Sequence, residues 1–215
     1  QGENLGEEQS VIGEIDKDKI PVTGNSRFGC WICTMVKEDK SLKAFIDKGE
    51  KWLIPLRDYR NWMLEMRSTP GAREYKRRNG AMYRKADGNL GEGPFTMETR
   101  QEMLRRLLQL EVDTGLSLIT IEELKYIDFL WDSEGDLTRR KLVDIYYETT
   151  GKRLPWDQYK VSVFPQEVID EIHKLCEENQ IEFELISKLI IEIEANKNYT
   201  KSSMVTKAFD RILNQ

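Results

Sequence analysis

The sequence predicts a mainly α chain in which an irregular, cysteine-containing loop precedes a multi-helix domain. Three observations carry this. Apolar residues recur at three- and four-residue spacing from Leu42 to Leu213, capping residues and glycines bound those runs, and no sustained two-residue alternation follows the first segment. The chain divides into an acidic segment (1–22), a Cys-x-x-Cys loop (23–41), a first helical part with a basic segment and a glycine-rich loop (42–113), and a C-terminal helical part (114–215).

Each element has its own local warrant. Residues 1–22 are acidic with scattered apolar positions and read as flexible. Pro21, Gly24 and Gly29 punctuate the next stretch, and Gly29 lets the backbone turn closely before Cys30. Ser41 is the expected N-cap of a short helix with Leu42, Phe45 and Ile46 on one face, ended by Gly49. A second helix is expected from about Trp52, with Pro55 in its first turn and Trp52, Leu56, Tyr59, Met63 and Met66 as one buried stripe. Thr69-Pro70-Gly71 breaks it, and the glycine-rich stretch from Asn79 to Pro94 reads as a loop that is mobile or shaped by a partner.

Thr99-Arg100-Gln101-Glu102 has capping-box spacing and predicts a helix through Met103, Leu104, Leu107, Leu108 and Leu110 to Gly115. Thr120 to Glu123 repeats that signature before Leu124, Ile127 and Leu130. Another helix is expected from Leu137 to Thr149, stopping at Gly151. One more follows Phe164-Pro165 with Val168, Ile169, Ile172 and Cys176. The last two carry Leu185, Ile186, Leu189, Ile190 and Ile193, then Val205, Phe209, Ile212 and Leu213.

Composition narrows the class. A chain of 215 residues can bury a core without disulfides, and three cysteines, two of them close together, do not form a secreted framework. A reducing cytoplasm is expected. No apolar run approaches the roughly 20 residues that span a bilayer, so no membrane partner is expected. The start at Gln1 reads as that of a fragment or a processed chain. The net charge of -5 is unevenly spread: Arg57 to Lys85 holds nine Lys or Arg against three acids, while Asp157 to Asn198 holds ten acids against four lysines. A local cationic segment on an acidic chain can bind a polyanion at one place.

Cys30 and Cys33 carry the most chemistry, because two thiolates two residues apart can hold zinc or an iron–sulfur cluster from one loop, or form a redox pair. A plain buried pair packed by Phe28, Trp31 and Ile32 is the alternative. No second C-x-x-C completes a metal site, and the one histidine, His173, reads as a surface residue. Cys176 reads as core. In the basic segment, Arg73, Lys76, Arg77 and Arg78, then Arg84 and Lys85, interleave with Tyr75 and Tyr83; guanidinium groups grip phosphates and tyrosines stack on bases. A solvated helical face is the alternative. Glycine-rich phosphate-loop and dinucleotide motifs are missing from these residues.

The run Gly24-Asn25-Ser26-Arg27-Phe28-Gly29-Cys30-Trp31-Ile32-Cys33-Thr34, with Lys37 to Ser41, resembles the DndC family of bacterial DNA phosphorothioation sulfurtransferases, relatives of phosphoadenylylsulfate reductases. Trp52 to Leu56, Arg60-Asn61-Trp62, Arg77-Arg78-Asn79-Gly80, Gly93-Pro94-Phe95-Thr96, Arg100 and Leu104 to Leu108 extend the likeness. It is dense from about Thr23 to Leu108. The resemblance implies replacement of a non-bridging oxygen of the DNA backbone by sulfur, a [4Fe-4S] cluster, and an N-terminal α/β ATP-pyrophosphatase half that binds ATP through an S-G-G-K-D-S loop. No such loop occurs in these 215 residues, so the likeness covers the family's C-terminal part. It further implies a ligand role for Cys30 and Cys33, with the other ligands supplied from outside the chain; beside them Arg27 and the basic segment are expected, from their charge, to face DNA or nucleotide. Implied partners are DNA, other Dnd proteins and a cysteine desulfurase as sulfur donor. A non-catalytic helical module that binds DNA or protein, with a structural or zinc-bearing cysteine pair, is the competing expectation.

Overall fold

The computed structural model describes residues 31–77, 81–196 and 202–213, and over these the chain is mainly helical, with eight α-helices and no strand. Expectations placed on residues 1–22, on Arg27, Gly29 and Cys30, on Arg78 and on the side chain of Val205 lie outside the described residues.

Helix α1 (Lys40–Asp47) is capped by Asp39 and not by Ser41: the Asp39 carboxylate accepts from the Leu42 amide at 2.9 Å. A charged acceptor suits the positive end of the helix, so the earlier residue wins. Leu42 and Ile46 are buried and Phe45 is exposed. A single 3-10 turn (Lys51–Leu53) leads into α2 (Ile54–Met66), with Pro55 in its first turn. The expected stripe is corrected at its start. Trp52 lies in the 3-10 turn, 56% exposed, and its indole donates to Glu50 at 2.8 Å. Leu56, Tyr59 and Met63 are buried, and Arg60 joins them at 1% exposure.

Helix α3 (Met97–Thr114) starts earlier than the Thr99 signature implies. Thr96 is extended (φ -61, ψ 162) and its hydroxyl accepts from the Thr99 amide at 3.2 Å, which makes Thr96 the cap. Glu102 pairs instead with Arg106 at 2.7 Å. Gly115 ends the helix at φ 72, in the left-handed region that glycine enters without strain. Helix α4 (Ile121–Ser133) has the expected capping box of Thr120 and Glu123. Helix α5 (Lys141–Thr150) begins after, not at, Leu137, because buried Asp136 accepts from the Thr138 and Lys141 amides and holds Leu137 in a turn. A 3-10 turn (Asp157–Tyr159), α6 (Gln166–Glu178), α7 (Phe183–Asn196) and α8 (Ser202–Leu213) follow. Ile169 and Cys176 of α6 are buried as expected, whereas Val168 and Ile193 are exposed.

Two apolar cores form. Leu104 and Leu108 of α3 pack with Leu124 and Trp131 of α4, Leu142, Val143 and Ile145 of α5, and Leu154. Leu110, nearer the end of α3, packs with Leu56, Tyr59 and Met63 of α2, roofed by Trp31 and Trp62. Fully buried leucines such as Leu108 each contribute about 2 kcal/mol through area removed from water. Helix α3 therefore belongs to both cores, and Trp31 seats the cysteine loop against the α2–α3 core. No helix of the described residues is long and apolar enough to cross a membrane.

Candidate functional site

The cysteine loop is fastened to α2 by two arginines. Arg60 donates to the carbonyls of Cys33 at 3.1 Å, Lys37 at 2.8 Å and Val36, and to the Asn61 side-chain oxygen at 3.0 Å. About two turns further along, at the helix C-cap, Arg67 donates to the Thr34 carbonyl. Charge-assisted bonds of this kind contribute about 1.5–3 kcal/mol each, so the irregular backbone after Cys33 is held as firmly as a helix end. Aromatic stacking holds the other side of the loop. The Trp31 ring lies 5.9 Å from Tyr59, Tyr59 lies 5.9 Å from Trp62, and the Arg106 guanidinium sits over Trp62 at 4.2 Å. Tyr59 donates to the Met103 carbonyl at 3.1 Å, and burial pushes its hydroxyl up to about 12.

Cys33 is half-buried with a free thiol; its partner Cys30 lies outside the described residues. Among the described residues no group of three or more His, Cys, Asp or Glu side chains converges as a metal site. Cys176 is buried in α6, and His173, on the surface of the same helix, packs against Phe183 at 4.8 Å. Within the described residues the loop therefore offers one thiol ligand.

Over its described residues, 72–77 and 81–96, the basic segment and the glycine-rich stretch, which the sequence predicts to be mobile or shaped by a partner, lie against each other through backbone hydrogen bonds. Residues 72–77 and 81–96 are joined by nested backbone hydrogen bonds: the amide of Glu74 donates to the Pro94 carbonyl at 2.8 Å, that of Gly91 to Tyr83 at 2.7 Å, that of Lys85 to Asn89 at 2.8 Å and that of Thr96 to Ala72 at 3.1 Å. The glycines permit the close approach. A Cβ on Gly93 would overlap the Lys76 carbonyl oxygen, and one on Gly91 would overlap the Tyr83 ring.

This unit brings Arg73, Lys76, Arg77, Arg84 and Lys85 together but occupies several of their charges. Arg73 donates to the Gly93 carbonyl at 2.8 Å, Arg84 to the Gly88 carbonyl at 2.9 Å, and Lys85 pairs with Glu92 at 2.7 Å. The Lys85 bond holds the Glu92 carboxyl below the usual carboxylate range. Arg77 lies over the Tyr83 ring at 4.1 Å, and Lys76 is exposed. Arg73, Arg77, Glu92, Gly93 and Pro94 line a shallow cleft of about 320 Å³. On the other side Glu74 meets the acids of α3 and α7; burial, then repulsion from Glu184, raises its carboxyl above the usual range.

A second polar centre lies in the C-terminal half and was not anticipated. Lys160 sits between Asp128 at 2.6 Å and Asp132 at 2.7 Å, and the Trp156 indole donates to Asp128 at 2.8 Å. Beside it, buried Asp157 is clasped by Arg140 at 2.8 Å and Arg153 at 2.5 Å, which holds its carboxyl below the usual range despite burial. The signal was in the register: Asp128 falls between Leu124 and Trp131 on the buried face of α4, as Arg60 falls between Leu56 and Met63 on α2.

Compared with models of protein families, with curated proteins and with solved structures, the chain finds no match.

Proposed function

We propose that this chain is the C-terminal part of a DndC-like sulfurtransferase that takes part in sulfur incorporation into the DNA backbone, with Cys30 and Cys33 as partial ligands of an iron–sulfur cluster. One observation carries the reading. Residues that the resemblance rests on, and that lie far apart in sequence, meet at one place: Arg60 of the Arg60-Asn61-Trp62 run holds the Cys33 carbonyl across 27 positions, and Arg106 covers Trp62. A self-standing loop would not need a second motif to hold it.

The family's ATP-binding half and the remaining cluster ligands lie outside these residues in this reading. Thiolate ligation from a loop seated on a rigid helix suits a centre that must be kept in position beside DNA. The cationic unit of residues 72–96 faces DNA or nucleotide, with Lys76 and Arg77 as its phosphate contacts and Arg84 and Lys85 as internal braces.

Iron and acid-labile sulfide, measured on the full-length protein after anaerobic reconstitution, test the ligand assignment. Wild type is expected to hold both, Cys33→Ser to lose most of each, and Cys176→Ser to keep them. Equal iron in wild type and Cys33→Ser would refute it.

A further inference from the structure

A second cationic stretch lies far from residues 57–85. On a chain of net charge -5, Arg139 to Lys160 holds six Lys or Arg against Asp144, Glu148 and Asp157. The fold gathers three of those cations around one cleft of about 570 Å³, whose lining includes Arg140, Arg153, Asp157, Gln158 and Lys160. That volume falls in the range of about 300–1,000 Å³ typical of small-ligand sites.

Asp157 is the one carboxylate in the described lining, and both its oxygens are taken. Oδ1 accepts from Arg140 Nη2 at 2.8 Å and Oδ2 from Arg153 Nη1 at 2.5 Å. Asp157 is 5% exposed, whereas the Arg153 side chain is 64% exposed. A buried anion thus holds two guanidinium groups side by side at the cleft. Arg140 Nη2 also donates to Asp144 at 2.9 Å, and Arg153 lies over the Tyr147 ring at 4.5 Å. These bonds use one nitrogen of each guanidinium: Nε and Nη1 of Arg140, and Nε and Nη2 of Arg153, take part in none of them. Lys160 adds a third cation, anchored by Asp128 and Asp132.

Neutralising Asp157 needs one cation, and Arg140 supplies it. The second, Arg153, is held in place by Asp157 and Tyr147 while most of its surface stays open to solvent. Guanidinium groups fixed in this way are pre-organised donors, and their planar fork matches two oxygens of a phosphate. A group entering the cleft meets these N–H donors and a carboxylate that is already occupied.

We propose that Arg140 and Arg153 form a binding site for a phosphate group, with Asp157 as the residue that positions both guanidinium groups. The site shares no residue with the cationic unit of residues 72–96 and does not draw on the Cys33 ligand assignment. Its phosphate belongs either to a small phosphorylated molecule or to a DNA strand.

The test uses the whole chain labelled with 15N, and follows the side-chain Nε–H signals of Arg140 and Arg153 by NMR at low salt. Inorganic phosphate is titrated into wild type, Arg153→Gln, and Lys174→Gln as a control on the surface of α6. Wild type is expected to show saturable shifts of both signals. Arg153→Gln should weaken the affinity read at Arg140 by about tenfold, the loss expected for one charge-assisted bond, and Lys174→Gln should leave it unchanged. A short oligothymidylate, titrated in the same way, separates the sources. Tighter binding of the oligonucleotide than of phosphate at the same two signals assigns the site to DNA, and shifts with phosphate alone assign it to a small phosphorylated molecule. No saturable shift in wild type with either probe overturns the inference, whatever Arg153→Gln does to stability. So does an affinity at Arg140 that Arg153→Gln leaves unchanged.

Discussion

Lys160 Nζ lies 2.6 Å from Asp128 Oδ2, both side chains at or below a tenth of their free exposure. The pair joins the segment after α5 to the middle of α4, with Trp156 sealing it from one side. Lys160→Met would leave two carboxylates, Asp128 and Asp132, facing each other with their other oxygens already unpartnered. The expected loss is about 3–5 kcal/mol in urea unfolding, as for other broken buried pairs. Adding Asp128→Asn should recover part of it, and strictly additive losses in the double-mutant cycle would contradict the coupling.

Glu74 predicts a pH signature. Its carboxyl is raised by burial first and by Glu184 second, so the folded state binds its proton more tightly than the unfolded state does. Its contribution to stability is therefore present at low pH and is lost as pH rises from the ordinary carboxylate value through the raised one. Glu74→Gln should be more stable than wild type at neutral pH, and the two should converge in acid. Denaturant midpoints across that range check the sign; a Gln variant less stable at pH 7 would count against it.

Gly93 is required by space and not by dihedral angle. Gly93→Ala drives a methyl into the Lys76 carbonyl oxygen, a backbone atom that cannot rotate away, and should disorder the turns from Ala72 to Thr96. Gly88 has φ 84 with open space around it, so Gly88→Ala should cost only about 1 kcal/mol. Limited proteolysis within residues 81–92 should be several-fold faster for Gly93→Ala than for Gly88→Ala.

The cationic unit predicts a division of labour in DNA binding. Lys76→Ala with Arg77→Ala should reduce the slope of log affinity against log salt by about 2, uniformly across sequences. A slope unchanged by that pair would remove this surface from the DNA-facing proposal.

Much of the fold was legible because its signals are local. Thr120 with Glu123 opens α4, and Gly115 and Gly151 close α3 and α5 in the left-handed conformation. Caps were misplaced where two polar residues compete. Asp39 displaced Ser41 by its charge, and Thr96 displaced Thr99 because the chain enters the helix extended there. The burial of Arg60 and of Asp128 was not legible, since each charge occupies an apolar register position and only the tertiary partner explains it. The pairing of residues 83–94 was likewise hidden, because it comes from backbone hydrogen bonds between positions that composition marks only as glycine-rich.

Participation in sulfur incorporation into DNA is measured by counting phosphorothioate-linked dinucleotides in nuclease-digested DNA by mass spectrometry. Cells with the full modification system and the wild-type protein should yield them, whereas cells lacking the protein, or carrying only its Cys33→Ser form, should yield none. Undiminished phosphorothioate in the absence of the protein would exclude it from sulfur incorporation.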